Sequence, residues 1–93
     1  MLNRPRLIEA YRDKFMTTQA NATEVVDWVF AQITAELARG GEVSMRNFGA
    51  LVRHRRPAGE GHNPRTGEKI KIPAKNVVRF KAGKELLRLV NGG

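Results

Sequence analysis

The chain has 93 residues, enough for one domain, and no apolar run approaching the roughly 20 residues of a membrane span; its N-terminus, "MLNRPRLIEAYRDKF", carries charges throughout and lacks the apolar stretch of a secretory signal. A soluble, intracellular protein is expected. It contains no cysteine, which excludes disulfides, thiolate metal sites and cysteine nucleophiles. The two histidines, His54 and His62, lie in basic surroundings without carboxylates at ligand spacing, so no metal and no cofactor is expected. A net charge of +8 and a pI near 10.9 point instead to an anionic partner such as nucleic acid.

That charge is segregated. Residues 1–42 carry five Lys/Arg and six Asp/Glu, net −1, and residues 43–93 carry twelve and three, net +9. The first half reads as scaffold and the second as binding surface. In the scaffold, Asn3 is a candidate N-cap with Pro5 tolerated in the first turn, and Leu7, Ile8, Tyr11 and Phe15 follow at helical spacing. A second helix is predicted from near Thr18 to Gly40 and Gly41, with Ala22, Val25, Val26, Val29, Phe30, Ile33 and Leu37 on one wide apolar stripe. Trp28 falls off the centre of that stripe, and a partly buried packing role is expected for it rather than base stacking.

After Gly41 the period changes to two. "EVSM" and "FGALVRHRR" are strand-like and joined at Arg46 and Asn47; Phe48 and Leu51 can share one face if a β-bulge at Gly49 absorbs their odd spacing. "KIKI" at 69–72 and "NVVRF" at 76–80 are two further strands, separated by a bend or exposed edge at Pro73. A short helix closes the chain from about Gly83 to Val90. The fold class is therefore α+β: two N-terminal helices, an antiparallel sheet and a short C-terminal helix.

Residues 53–75 hold seven Lys/Arg (Arg53, Arg55, Arg56, Arg65, Lys69, Lys71 and Lys75), three glycines and too few apolar side chains to bury themselves. The segment is expected to project as an arm. Without it about 70 residues remain, a size that buries only about 60% of its unfolded surface. The stripe on the second helix is thus expected to be covered by a second copy, giving an intertwined dimer. Within the arm, Pro64 of "GHNPRTG" cannot donate to a ladder, so it either ends a strand or presents its apolar ring to a partner.

The stretch "GHNPRTGEKIKIPAKNVVRFKAGKEL", with "NFGALVRHRR" upstream, resembles the HU/integration host factor family of bacterial histone-like DNA-bending proteins. Gly61, Asn63, Pro64, Thr66, Gly67, Pro73, Phe80 and Gly83 fall on the family pattern, and the resemblance covers essentially the whole chain. It implies a single domain comprising a helical dimerisation base (1–41), a sheet (42–81) with a protruding β-ribbon arm at about 53–75, and a C-terminal helix (82–93). The implied dimer core includes Val29, Phe30, Phe48, Leu51 and Phe80. The implied partner is double-stranded DNA, and Pro64 at the arm tip would wedge between base pairs from the minor groove, flanked by Asn63 and Arg65, with His62 also among the DNA-binding residues. Lys69, Lys71 and Lys75, with Arg53, Arg55 and Arg56 on the partner strand, would neutralise phosphates, and Lys84 would add a clamp at the start of the last helix.

Such a protein bends duplex DNA with little sequence preference and helps compact the nucleoid, which implies a cytoplasmic, nucleoid-associated location. The alternative within the family is a site-specific bending protein acting in recombination or transcription; a homodimer is expected, with a heterodimer of paralogues as the alternative. The chain departs from the family pattern at His62, where arginine is usual, at Glu60 near the tip, and at Asn47 and Leu51, where glycine and phenylalanine are usual. An RNA-binding module is a weaker reading, because the basic half offers only Phe48 and Phe80 for stacking and both read as core. No catalytic constellation or phosphate-cradling loop is present in the sequence, so no enzyme is expected.

Overall fold

The structure, a computed structural model, describes residues 1–92; Gly93, the last residue of the expected C-terminal segment, lies outside them. In chain order the elements are α1 (Arg4–Phe15), α2 (Gln19–Ala38), β1 (Val43–Met45), β2 (Gly49–Arg56), β3 (Gly59–His62), β4 (Lys69–Ile72), β5 (Lys75–Ala82) and α3 (Lys84–Val90). This is the expected α+β order of two helices, sheet and closing helix.

Capping chemistry sets the helix ends. Asn3 Oδ1 accepts the Arg6 N–H at 3.0 Å, and Pro5 sits in the first turn, where its missing N–H has no intrahelical partner to lose. Met16, left-handed at φ 50°, ends α1, and Thr18 caps α2 by accepting the Asn21 N–H at 3.1 Å. At the far end of α2, Gly40 (φ 91°) donates to the Leu37 carbonyl at 3.1 Å and Gly41 to the Glu36 carbonyl at 2.9 Å, a Schellman motif that needs glycine at the left-handed position.

The two helices form a hairpin around a small core of Ile8, Ala22 and Val26, with Leu7 and Tyr11 packed against it. Arg4 ties the open end together through a two-pronged pair with Asp27, Nε to Oδ1 and Nη2 to Oδ2 both at 2.8 Å. Elsewhere on the α2 stripe Val25, Ile33 and Leu37 are partly buried, whereas Val29 is 42% and Phe30 51% exposed. Trp28 differs from expectation. It is 62% exposed, because the 100° helical step places it about 140° round α2 from the Ala22 and Val26 edge.

Strands β1, β2 and β5 form an antiparallel sheet in the order β1-β2-β5, and β3 pairs with β4 as a separate ribbon. The bulge expected at Gly49 is absent: Gly49 through Arg56 pair one for one with Ala82 through Lys75. The odd spacing of Phe48 is absorbed before the strand begins, in a turn where the Phe48 N–H reaches the Met45 carbonyl at 3.1 Å and Asn47 adopts φ 63°. Asn47 thus serves a backbone conformation more than packing, since asparagine is among the few residues besides glycine that enter this region readily. Phe48 still reaches the expected cluster. Its ring lies 5.3 Å from that of Phe80, which is paired across the sheet with Leu51.

Gly49 is held to glycine by the same cluster, since a Cβ there would lie 2.4 Å from the Lys81 carbonyl oxygen and 2.8 Å from the Phe80 ring. The whole chain exposes 7885 Å², with a radius of gyration of 19.1 Å. A compact protein of this size would expose about 5,400 Å² with a radius of about 12 Å. The excess comes from the projecting arm and from apolar side chains such as Val29, Phe30, Phe48 and Phe80 that remain about half exposed in the single chain.

Candidate nucleic-acid interface

The arm is two ribbons in series. The β2–β5 ladder ends at the pair Arg56 and Lys75 and resumes at Gly59 and Ile72 as β3–β4. Between those pairs stand Pro57 and Ala58 on one strand and Pro73 and Ala74 on the other. Neither proline can donate a ladder hydrogen bond, so pairing stops on both strands at the same level. The interruption expected at Pro73, as a bend or exposed edge, is a break in the ladder shared with Pro57 on the other strand, which sequence reasoning overlooked. The signal was present: both prolines stand eight residues from Arg65, the centre of the turn.

Beyond this break the ribbon has two unlike faces. Cross-strand neighbours share a face, which groups Glu60 with Lys71 and His62 with Lys69 on one side, and Gly59 with Ile72 and Gly61 with Ile70 on the other. Ile70 and Ile72 remain about half exposed, and a Cβ on Gly61 would come within 2.9 Å of the Ile72 side chain. One face is charged and the other apolar.

The tip is closed by local hydrogen bonds. Asn63 donates its N–H to the Glu68 carbonyl and Gly67 donates to the Asn63 carbonyl, both at 2.8 Å. Asn63 Oδ1 accepts the Arg65 N–H at 2.9 Å, Thr66 Oγ1 accepts the Glu68 N–H at 3.3 Å, and Gly67 supplies φ 75°. Pro64 occupies a place in this turn where no N–H is used, with its ring exposed at the end of the molecule. Asparagine, threonine and glycine build the turn; proline and arginine are what it presents.

Lower down, the two-residue period sorts the basic residues. The pair Arg56 and Lys75 shares the outer face of the sheet with His54, Arg79 and Lys81. Arg53 and Arg55, opposite Val78 and Asn76, lie on the other face with Leu51 and Phe80, towards α2. The expected set Arg53, Arg55 and Arg56 is therefore split. Sequence reasoning passed over His54, Arg79 and Lys81, although strict alternation from Arg56 and Lys75 would have found them.

Lys84 opens α3, and Gly83, its N-cap, donates to the Phe48 carbonyl at 2.8 Å, which fixes this helix against the β1–β2 turn. Beside it, Glu85 pairs with Arg88. The Arg88 guanidinium, by hydrogen bonding, holds the Glu85 carboxyl below the usual carboxylate range. Among the described residues the ion pairs are Arg4 with Asp27, Arg12 with Asp13, Arg39 with Glu36 and Arg88 with Glu85. None of them engages a cation of the arm or of the outer sheet face. On the outer sheet face and along the arm cations outnumber the carboxylates Glu60 and Glu68, an arrangement that favours a polyanion.

Residues 2–91 match the family model described as bacterial DNA-binding protein. The chain is a member of the HU family. It is 41% identical over 90 residues to the DNA-binding protein HRL18 of Rhizobium leguminosarum, covering 97% of this chain and 99% of that one. It is 40% identical to the DNA-binding protein HU-1 of Halalkalibacterium halodurans, again over 90 residues, with 97% and 100% covered. Among solved structures, the HU protein in the Anabaena HU–DNA cocrystal superposes with a TM-score of 0.85 at 33% identity, covering 99% of this chain and all of the other. As an HU-family member the chain is a DNA-binding protein, of a family of architectural proteins and not of enzymes. No described helix is long and apolar enough to cross a membrane.

Proposed function

We propose that two copies of this chain form an intertwined dimer that grips duplex DNA from the minor groove with its two arms and bends it by inserting Pro64, with little preference for sequence. The observation that carries this reading is the tip itself: a hydrogen-bonded turn that presents an exposed proline ring on a ribbon rooted in a basic sheet face. A rigid apolar wedge unstacks a base step at a cost of a few kcal/mol, and the wider neutralisation of phosphates by the wrapped protein surface offsets that cost. Asn63 and Arg65 flank the wedge in the groove with His62 behind them. Arg55, Arg56, Lys69, Lys71, Lys75 and Lys84, together with His54, Arg79 and Lys81, lie along the path of the wrapped backbone. In the cell such a protein compacts the nucleoid.

The dimer is supported by what the chain leaves uncovered. Val29, Phe30, Phe48 and Phe80 are each between 42% and 53% exposed, and Leu51 is only half-buried. These residues sit on α2, in the turn before β2 and on the α2-facing side of the sheet, where a second copy brings the same surfaces together and removes them from water.

The test is energy transfer across an end-labelled duplex of about 35 base pairs, roughly 120 Å when straight at 3.4 Å per pair. Wild type is expected to shorten the end-to-end distance and to prefer nicked or mismatched duplex, where part of the unstacking cost is already met. Pro64→Ala is expected to keep the dimer and the salt-dependent affinity but lose much of the bend. Equal bending by Pro64→Ala at matched occupancy makes the proline a turn residue only, and a strong preference for one fragment from a random pool favours the site-specific reading.

A further inference from the structure

The resemblance assigns Arg53 to the phosphate-neutralising set, yet the structure gives its guanidinium another partner. Arg53 lies on the α2-facing side of β2, and its Nη1 donates to the Ala38 carbonyl at 3.3 Å and to the Leu37 carbonyl at 3.5 Å. Those are carbonyls of the last turn of α2. The Schellman motif uses the Glu36 and Leu37 carbonyls and, among the described residues, leaves that of Ala38 without a backbone donor. The last turn of α2 holds no basic residue and does hold Glu36, so the negative end of a twenty-residue helix is met by no cation of its own final turn. Arg39, just past the end, is paired with Glu36. The charge that meets this helix terminus comes from the sheet.

Arg53 also sits at the root of the arm, three residues before the last β2–β5 pair. It approaches the chain reversal closely: a Cβ on Gly40 would lie 3.3 Å from Arg53 Nη1. Its hydrogen bonds join the strand that becomes the arm to the helix that forms the base, across a groove lined by Thr34, Leu37, Asn76 and Val78.

We infer that Arg53 is a positioning residue: it pins the root of the arm to the C-terminus of α2, sets the angle at which the arm leaves the body, and does not contact phosphate. Its consequence for bending rests on the function proposed above; its effect on arm angle does not. The two are separated by measuring the arm with and without DNA. Because the chain has no cysteine, a pair of introduced cysteines, Gln32→Cys on the base and Thr66→Cys at the tip, accepts spin labels cleanly, and labelled chain is diluted into unlabelled chain.

In DNA-free protein, Arg53→Met is expected to shift and broaden the base-to-tip distance distribution, and Arg53→Lys, which keeps a donor and a charge, to restore part of it. The slope of log K against log salt for duplex DNA is expected to stay at the wild-type value in Arg53→Met, whereas a residue bound to phosphate removes about 0.9 per contact. A slope reduced by that amount, or a distance distribution unmoved by Arg53→Met, overturns the inference. Wild-type protein that fails to bend DNA while its arm distribution still depends on Arg53 refutes the bending function and leaves the positioning role standing.

Discussion

The helical base and the arm are held by different forces. In the base, Ile8, Ala22 and Val26 are buried and the helix ends are capped, so hydrophobic burial and capping select the structure. Beyond Arg56 the arm buries no side chain and is held by four cross-strand pairs and the hydrogen bonds of one turn. It follows that the base is the element whose stability depends on what covers it, while the arm keeps its shape through backbone chemistry and leaves its side chains free for a partner. Pro57 and Pro73, one on each strand of the break in the ladder, mark the line where one regime gives way to the other.

The largest effect is expected where the comparison is most exposed to failure, at the seam between base and sheet. Phe80 is 46% exposed in the single chain. In a core completed by a second copy, Phe80→Ala is expected to cost about 3–5 kcal/mol per side chain, and far less if the ring stays half in water. Thermal melts over a hundredfold range of protein concentration check this: wild type is expected to melt higher as concentration rises, and Phe80→Ala to melt far lower at every concentration. A concentration-independent melt together with a small loss would leave the base complete in one chain.

A smaller loss is expected at Gly49, where the sheet closes on its own backbone. Its φ of 155° and the approach of the Lys81 carbonyl make Gly49→Ala cost about 1–3 kcal/mol. Gly67→Ala at the tip, also at positive φ but with open space around its Cβ, is expected to leave the melting temperature almost unchanged, because the tip can distort without disturbing a core. Denaturation of the two variants side by side sharpens the contrast between the regions; equal losses would mean that the arm and sheet fold as one unit.

The smallest effect belongs to the surface pair at the open end of the helical hairpin. Hydrogen bonding to Arg4 lowers the Asp27 carboxyl below the usual aspartate range, so the pair contributes fully above that range, and its contribution is lost as pH falls through the lowered value. Asp27→Asn is expected to melt slightly below wild type at pH 7, with the difference shrinking in high salt and vanishing in strong acid, since both side chains are about half exposed. Melts at pH 7 and pH 2.5 test it, and a gap that widens on acidification has the wrong sign.

By itself the sequence determined what depends on neighbours along the chain. Asn3 and Thr18 as caps, Gly40 and Gly41 as a stop, the helical stripe, the change of period after Gly41 and the turn chemistry of "NPRTG" are all local, because a cap or a turn is satisfied within a few residues. The family resemblance was legible for the same reason. Only the tertiary structure decided which of the two sets of basic residues faces α2 and which faces outward. Alternation along β2 separates Arg53 from Arg56 in "RHRR", but only the packing of the sheet against α2 turns Arg53 towards the carbonyls of α2 and leaves Arg56 outward with Lys75, and that packing is a long-range property. It also decided that Phe48 stands in a turn outside the ladder, since that depends on which distant segment arrives opposite.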